Sequence, residues 1–127
     1  MPHLHIEVTD ALASALDLTS VSEAIHRDIA AQGWAAIGDL KTRVLVCADA
    51  LAGLDRGAQQ LVATLITTNL RPPDVQRAMT DCVLQHLQQA VRTLAPAQWV
   101  QCCVFMQATP RSDYSKWQWM PPTPPSG

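Results

Sequence analysis

Charge is scarce in this sequence. Lys, Arg, Asp and Glu make up 16% of its 127 residues while hydrophobic residues make up 48%. So thin a polar coat leaves apolar surface on an isolated chain, and burial between subunits is the simplest remedy. The nine basic and eleven acidic residues are interspersed, for a net charge of −2. Without a basic stripe, nucleic acid is not an expected partner. No apolar run approaches the ~20 residues of a membrane-spanning helix, so no membrane association is expected. The first residues lack the charged-then-apolar pattern of a secretory signal. Cys47, Cys82, Cys102 and Cys103 contain no C-x-x-C, and adjacent Cys102 and Cys103 would point to opposite faces of a strand. All four read as reduced, small hydrophobes of a cytoplasmic protein. No G-x-S-x-G, Walker loop or G-x-G-x-x-G occurs, so serine-hydrolase, P-loop and Rossmann chemistry has no support. His3 and His5 share a strand face, but two ligands without a suitably spaced third do not make a metal site. No metal is therefore expected.

What is present is one pattern written twice. Leu4, Ile6 and Val8 alternate with His3, His5 and Glu7, the period-2 signature of a half-buried strand. S20-V-S-E23 reads as a capping box opening a helix near Ser20–Gln32, with Val21, Ala24, Ile25 and Ile29 on its apolar face and Gly33 as its stop. After the Gly38-Asp39 turn, Lys41 to Cys47 reads as a second strand. The order then recurs. Gln60 to Thr68 forms a strand, and R71-P-P-D74 leads into a helix at Pro73–Leu94, where proline suits the first turn. Val75, Met79, Cys82, Val83, Leu87, Ala90, Val91 and Leu94 form its stripe, and Trp99 to Gln107 closes the pattern as a strand. The β-α-β-β-α-β order predicts an α+β two-layer fold: tandem β-α-β units building a four-stranded sheet with both helices on one face. Residues 1–120 are expected to form a single domain, with 121–127 as a Pro-rich tail. Tyr114, Trp117 and Trp119 are too apolar to leave in water, so that stretch is expected to pack, across a subunit boundary if not within the chain.

Pro2 is the residue with the sharpest chemistry. Removal of Met1 would leave it as a free secondary amine, able to accept and return a proton. An α-amino group titrates near 7.7–8.0, and burial or nearby cations lower that value toward the range useful for proton transfer. Candidate cations for an anionic substrate are Lys41 and Arg43, two apart on one strand face, Arg71 just before a helix start, and Lys116 in the tail. Arginine grips a carboxylate with two parallel hydrogen bonds, and helix-start N–H groups add anion affinity. Arg27, Arg56, Arg77 and Arg92 read as solvated surface charges.

The opening M-P-H, K41-T-R43, N69-L-R71 and the tandem β-α-β order together resemble the 5-carboxymethyl-2-hydroxymuconate isomerase family of the tautomerase superfamily. The resemblance runs from Pro2 to about Trp117. It implies a tautomerase-like homotrimer that uses its N-terminal proline as general base, without a cofactor, in aromatic catabolism. The implied reaction moves a proton within an unsaturated 2-hydroxy or 2-keto dicarboxylic-type acid. Family members carry arginine where this chain has Lys41, and its Trp- and Pro-rich tail is a second departure. A tautomerase-superfamily decarboxylase or hydratase is the alternative within the superfamily. A non-catalytic trimeric binding module on the same scaffold is the alternative outside enzymology.

Overall fold

The computed structural model describes residues 2–122, so Met1 and most of the tail at 121–127 lie outside the described residues. The elements are β1 (His3–Thr9), α1 (Asp10–Ala15), α2 (Leu18–Ala31), β2 (Lys41–Cys47), β3 (Gln59–Thr67), α3 (Pro73–Leu94) and β4 (Val100–Ala108). Single 3-10 turns lie at Ile37–Asp39 and Arg111–Asp113. The sheet order is β2-β1-β3-β4. β1 pairs with β2 in parallel and β3 with β4 in parallel, while β1 and β3 run antiparallel at the centre. This is the expected α+β arrangement of two β-α-β units. Among the described residues, no helix is long and apolar enough to cross a membrane.

One face of the sheet carries the core. Leu4, Ile6 and Val8 of β1 and Leu61, Ala63 and Leu65 of β3 pack with Ile25 and Ile29 of α2 and Met79, Val83 and Leu87 of α3. Burying each such large side chain contributes about 1.5–3 kcal/mol. Among the described residues, the opposite face has no helix layer. His3, His5, Glu7, Thr64 and Phe105 lie on it by register, and Phe105 is 59% exposed. The β2 margin is uncovered as well. Val44 and Val46 share the helix-side direction of Ile6 and Val8, yet both are exposed, as is Leu45 on the other side. Cys102 pairs with Leu61 and Cys103 with Val62, which puts them on opposite faces, and all four cysteines are free.

Three features differ from the sequence expectations. The helix-opening cap is Asp17 rather than Ser20. The Asp17 carboxylate accepts the Ser20 N–H at 3.1 Å and the Ser20 hydroxyl at 2.7 Å, so Ser20 sits inside the first turn. Glu23 instead pairs with Arg27 at 3.5 Å, one turn along. Second, the segment after β1 contains a six-residue helix, α1, held to the core by Leu12 alone among its residues that are fully buried. Third, β3 and β4 are displaced by one residue from the ranges expected for them, the size of shift that fraying produces at element ends. α2 stops where expected: Gly33 follows at φ +77°, in the left-handed region that a side chain disfavours.

Candidate active site at the proline end of the sheet

The strand directions bring four segments to one end of the sheet. β1 and β2 begin there, while β3 and β4 finish there. The Lys41 N–H donates to the Pro2 carbonyl at 3.2 Å, and the Thr109 N–H donates to the Thr67 carbonyl at 2.7 Å. Beyond β4 the chain crosses toward the start of β2. A cavity of about 930 Å³ lies between them, lined by His3, Lys41, Arg43, Tyr114, Lys116 and Trp117 among others. Pro2 is fully buried next to this lining and is tied to it through Lys41.

Arg43 organises the inner wall. Its guanidinium donates to His3 Nδ1 at 3.3 Å and to His5 Nε2, so both imidazoles present a lone pair to a fixed cation. Burial, then the charge of Arg43, holds both histidines below the ordinary value, and Lys41 adds to the effect at His3. Neutral histidines beside Arg43 and Lys41 leave the cavity positively charged, the sign that suits a carboxylate. The Lys41 ammonium donates to the Gly38 carbonyl at 2.7 Å, which anchors its long side chain and uses one of three donors.

Arg71 has a different posting. It does not line this cavity. Its guanidinium donates to the Trp34 carbonyl at 2.8 Å and the Asn69 carbonyl at 3.1 Å, tying the α2–β2 connection to the β3–α3 connection. Gln76 of α3 donates to the Arg71 carbonyl at 3.0 Å, and Arg111 donates to the Asn69 side chain at 3.1 Å. The structure therefore gathers Lys41, Arg43 and Lys116 around one cavity and sets Arg71 among the loops at the same end. Sequence reasoning missed the part played by His3, which the parallel β1–β2 register could have indicated. It also missed Arg111, which carries no local motif. Trp117 and Trp119 stand with ring centroids 6.5 Å apart and remain 81% and 69% exposed on the single chain. The expected burial of these rings is not provided by the described residues of the chain.

No protein-family model matches the sequence, and no curated protein is significantly similar to it. Solved structures are similar. A 5-carboxymethyl-2-hydroxymuconate isomerase from Deinococcus radiodurans R1 superposes with a TM-score of 0.80 at 16% identity, over 91% of this chain and 88% of that one. A 5-carboxymethyl-2-hydroxymuconate delta-isomerase superposes at 0.71, also at 16% identity, over 94% and 89%. A fused 4-OT wild type symmetric trimer superposes at 0.66 and 13% identity, over 90% of each chain. The likeness establishes the fold. This chain has a tautomerase-like fold, and among those folds it matches that of the 5-carboxymethyl-2-hydroxymuconate isomerases, the resemblance carried by Met-Pro-His and the doubled β-α-β order.

Proposed function

We propose that the protein is a cofactor-independent isomerase that moves a proton in an unsaturated 2-hydroxy or 2-keto dicarboxylic-type acid. Pro2, freed by removal of Met1, is the general base in this reading. The observation that carries it is the main-chain hydrogen bond from the Lys41 N–H to the Pro2 carbonyl, which seats Pro2 beside the lining of a cavity walled by Lys41, Arg43 and Lys116. An amine in an apolar pocket with cations close by stays neutral at lower pH than an exposed one, so a freed Pro2 nitrogen at this end of the sheet would keep its lone pair available. The proline ring restricts φ, so the amine keeps its direction. The amine takes a proton from one end of the conjugated system and returns it at the other. The cavity cations hold the carboxylates and stabilise the enolate that forms between the two transfers. Arg71, in the loop before α3, supports them by holding the loops at this end of the sheet, with two of its five N–H donors occupied by loop carbonyls.

The same reading makes the assembly a homotrimer of one domain per chain, residues 1–120, with 121–127 as an appended tail, working in the cytoplasm. The uncovered sheet face, the exposed Val44–Val46 margin and the exposed Trp117 and Trp119 supply apolar surface for subunit contacts. The test assays enol–keto conversion of a 2-hydroxymuconate-type acid with protein whose intact mass shows Met1 removed and with protein that retains it. A retained methionine turns the Pro2 nitrogen into an amide without a usable lone pair. Turnover should fall by about 10²–10⁴-fold, the usual contribution of general-base catalysis. Equal turnover by the two forms removes Pro2 from the mechanism. No turnover by the processed form favours a non-catalytic binding module.

A further inference from the structure

The helix layer holds a second chemical cluster, separate from the cavity at the proline end. Cys82 and His86 lie four residues apart on α3, hence on one face of that helix. Asp28 meets them from α2. The Cys82 thiol donates to Asp28 Oδ2 at 3.3 Å, and His86 Nε2 lies 3.0 Å from the same oxygen. The three ligand-type atoms, one sulfur, one nitrogen and one oxygen, all lie within 4.8 Å of one another. None of the three residues lines the proline-end cavity.

We propose that Asp28, Cys82 and His86 bind a divalent transition-metal ion, with zinc the best match. Zinc bonds of about 2.0–2.3 Å in a tetrahedron set neighbouring ligand atoms about 3.3–3.6 Å apart. Two of the three separations, 3.3 and 3.0 Å, are already close to that spacing and the third lies within 4.8 Å, so an ion can enter with side-chain adjustments. The donor set also selects the metal class. Thiolate with imidazole suits zinc, cobalt or copper, whereas magnesium and calcium require oxygen ligands.

The backbone is prepared for the task. Ile25 and Ile29 bracket Asp28, while Met79, Val83 and Leu87 surround Cys82 and His86, and all five are core residues. The ligands therefore project from two helices whose separation is fixed by packing. Cys82 is buried, but the side chains of His86 and Asp28 are 28% and 42% exposed, which gives an ion a path from solvent. His86 also lines a groove of about 560 Å³ between α2 and α3, with Leu16, Val21 and Leu94 among its other walls. Three protein ligands leave a fourth position for water or a small ligand from that groove, as in open zinc sites. Binding exchanges the Cys82 thiol proton for the ion and releases it to solvent. His86 coordinates through Nε2 with its proton on Nδ1. A thiol-nucleophile role fits less well, because the thiol proton faces the carboxylate rather than an imidazole base.

The test titrates chelator-treated, full-length protein with zinc by calorimetry and with cobalt(II) by absorbance. One zinc per chain is expected, with proton release that depends on buffer and a raised melting temperature. Cobalt should produce a thiolate-to-metal charge-transfer band. Loss of partners one layer out from a metal costs about 10–100-fold in affinity, so Cys82→Ser and His86→Gln should cost at least that much. Cys82→Ser should also abolish the charge-transfer band. Asp28→Asn is near-isosteric and only half-buried, so it tests the same site should a helix α3 variant fail to fold. Absence of stoichiometric zinc binding overturns the proposal. So does undiminished binding in Cys82→Ser and Asp28→Asn, or binding abolished by a His3→Gln, His5→Gln double variant that leaves the helix cluster intact.

Discussion

Replacing Arg71 with alanine removes the two hydrogen bonds that join the α2–β2 and β3–α3 connections, at 2.8 and 3.1 Å. A hydrogen bond to a charged group contributes about 1.5–3 kcal/mol when protected from water. Arg71 is only half-buried, so water recovers part of what each carbonyl loses. We expect a cost of about 1.5–3 kcal/mol for both bonds together. Unfolding entropy of about 2.1 cal/mol/K per residue, over 127 residues, converts this to a fall in Tm of about 6–11 °C. Arg71→Lys can satisfy one carbonyl and should lose roughly half as much. Melting curves must be compared at one protomer concentration, because the proposed assembly would couple Tm to concentration. Kinetics on the same variants then separate two roles. A lowered Tm with a modest rise in KM identifies a residue that positions the site's walls. An Arg71→Ala variant that melts with the parent refutes the bracing argument, and a loss of kcat/KM in that variant would assign the guanidinium directly to substrate.

Leu65, fully buried on β3 opposite Leu4, should cost about 2–5 kcal/mol on replacement by alanine, read from urea unfolding; a smaller loss would mean the core collapses around the gap. His3, His5 and His26 are all held below the ordinary histidine value of 6.5, in each case chiefly by burial. Below pH 6.5 the unfolded chain therefore binds more protons than the folded one, so stability is complete above that pH and declines as pH drops through the lowered folded values. Arg43→Gln removes a repulsion from His3 and His5 and should flatten that decline in urea midpoints measured against pH; an unaltered profile counts against the coupling. Phe105→Asp places a charge on the uncovered sheet face and should dissociate the assembly in light scattering, whereas a parent protein that is already monomeric at micromolar concentration removes the trimer from the proposal.

The parts of the fold legible in the sequence were those with long periodic signals. α3 is a 22-residue amphipathic helix that opens on Pro73 with Pro72 as its cap, and its bounds match the expectation. β1 and β2 announce themselves through strict alternation and a basic, β-branched run. α1 was hidden because six residues are too few for a helical period to stand out from a loop. The choice between Asp17 and Ser20 as cap could not be made locally, since both residue types cap helices equally well. At the candidate site, Lys41 and Arg43 were readable as one strand face, but what Arg71 touches depends on Trp34, 37 residues away. The Asp28 cluster spans 54 and 58 residues of chain, and no spacing rule connects residues so far apart.

The doubled β-α-β pattern has a chemical asymmetry built into it. Superposing the core-facing Leu4, Ile6 and Val8 on their counterparts Leu61, Ala63 and Leu65 aligns Pro2 with Gln59 and His3 with Gln60. The strand partners then align Lys41 with Gln101 and Arg43 with Cys103. The second half thus repeats the framework while placing neutral side chains where the first carries the strand cations Lys41 and Arg43. An inserted proline at position 59 would not restore equivalence, because its nitrogen would be a tertiary amide in mid-chain. Two halves joined head to tail can share a scaffold but not a terminal amine. A doubled framework therefore leaves the far end of the sheet free to drift, and a chain of this design can carry at most one centre of the kind proposed for Pro2, however closely its halves come to resemble each other.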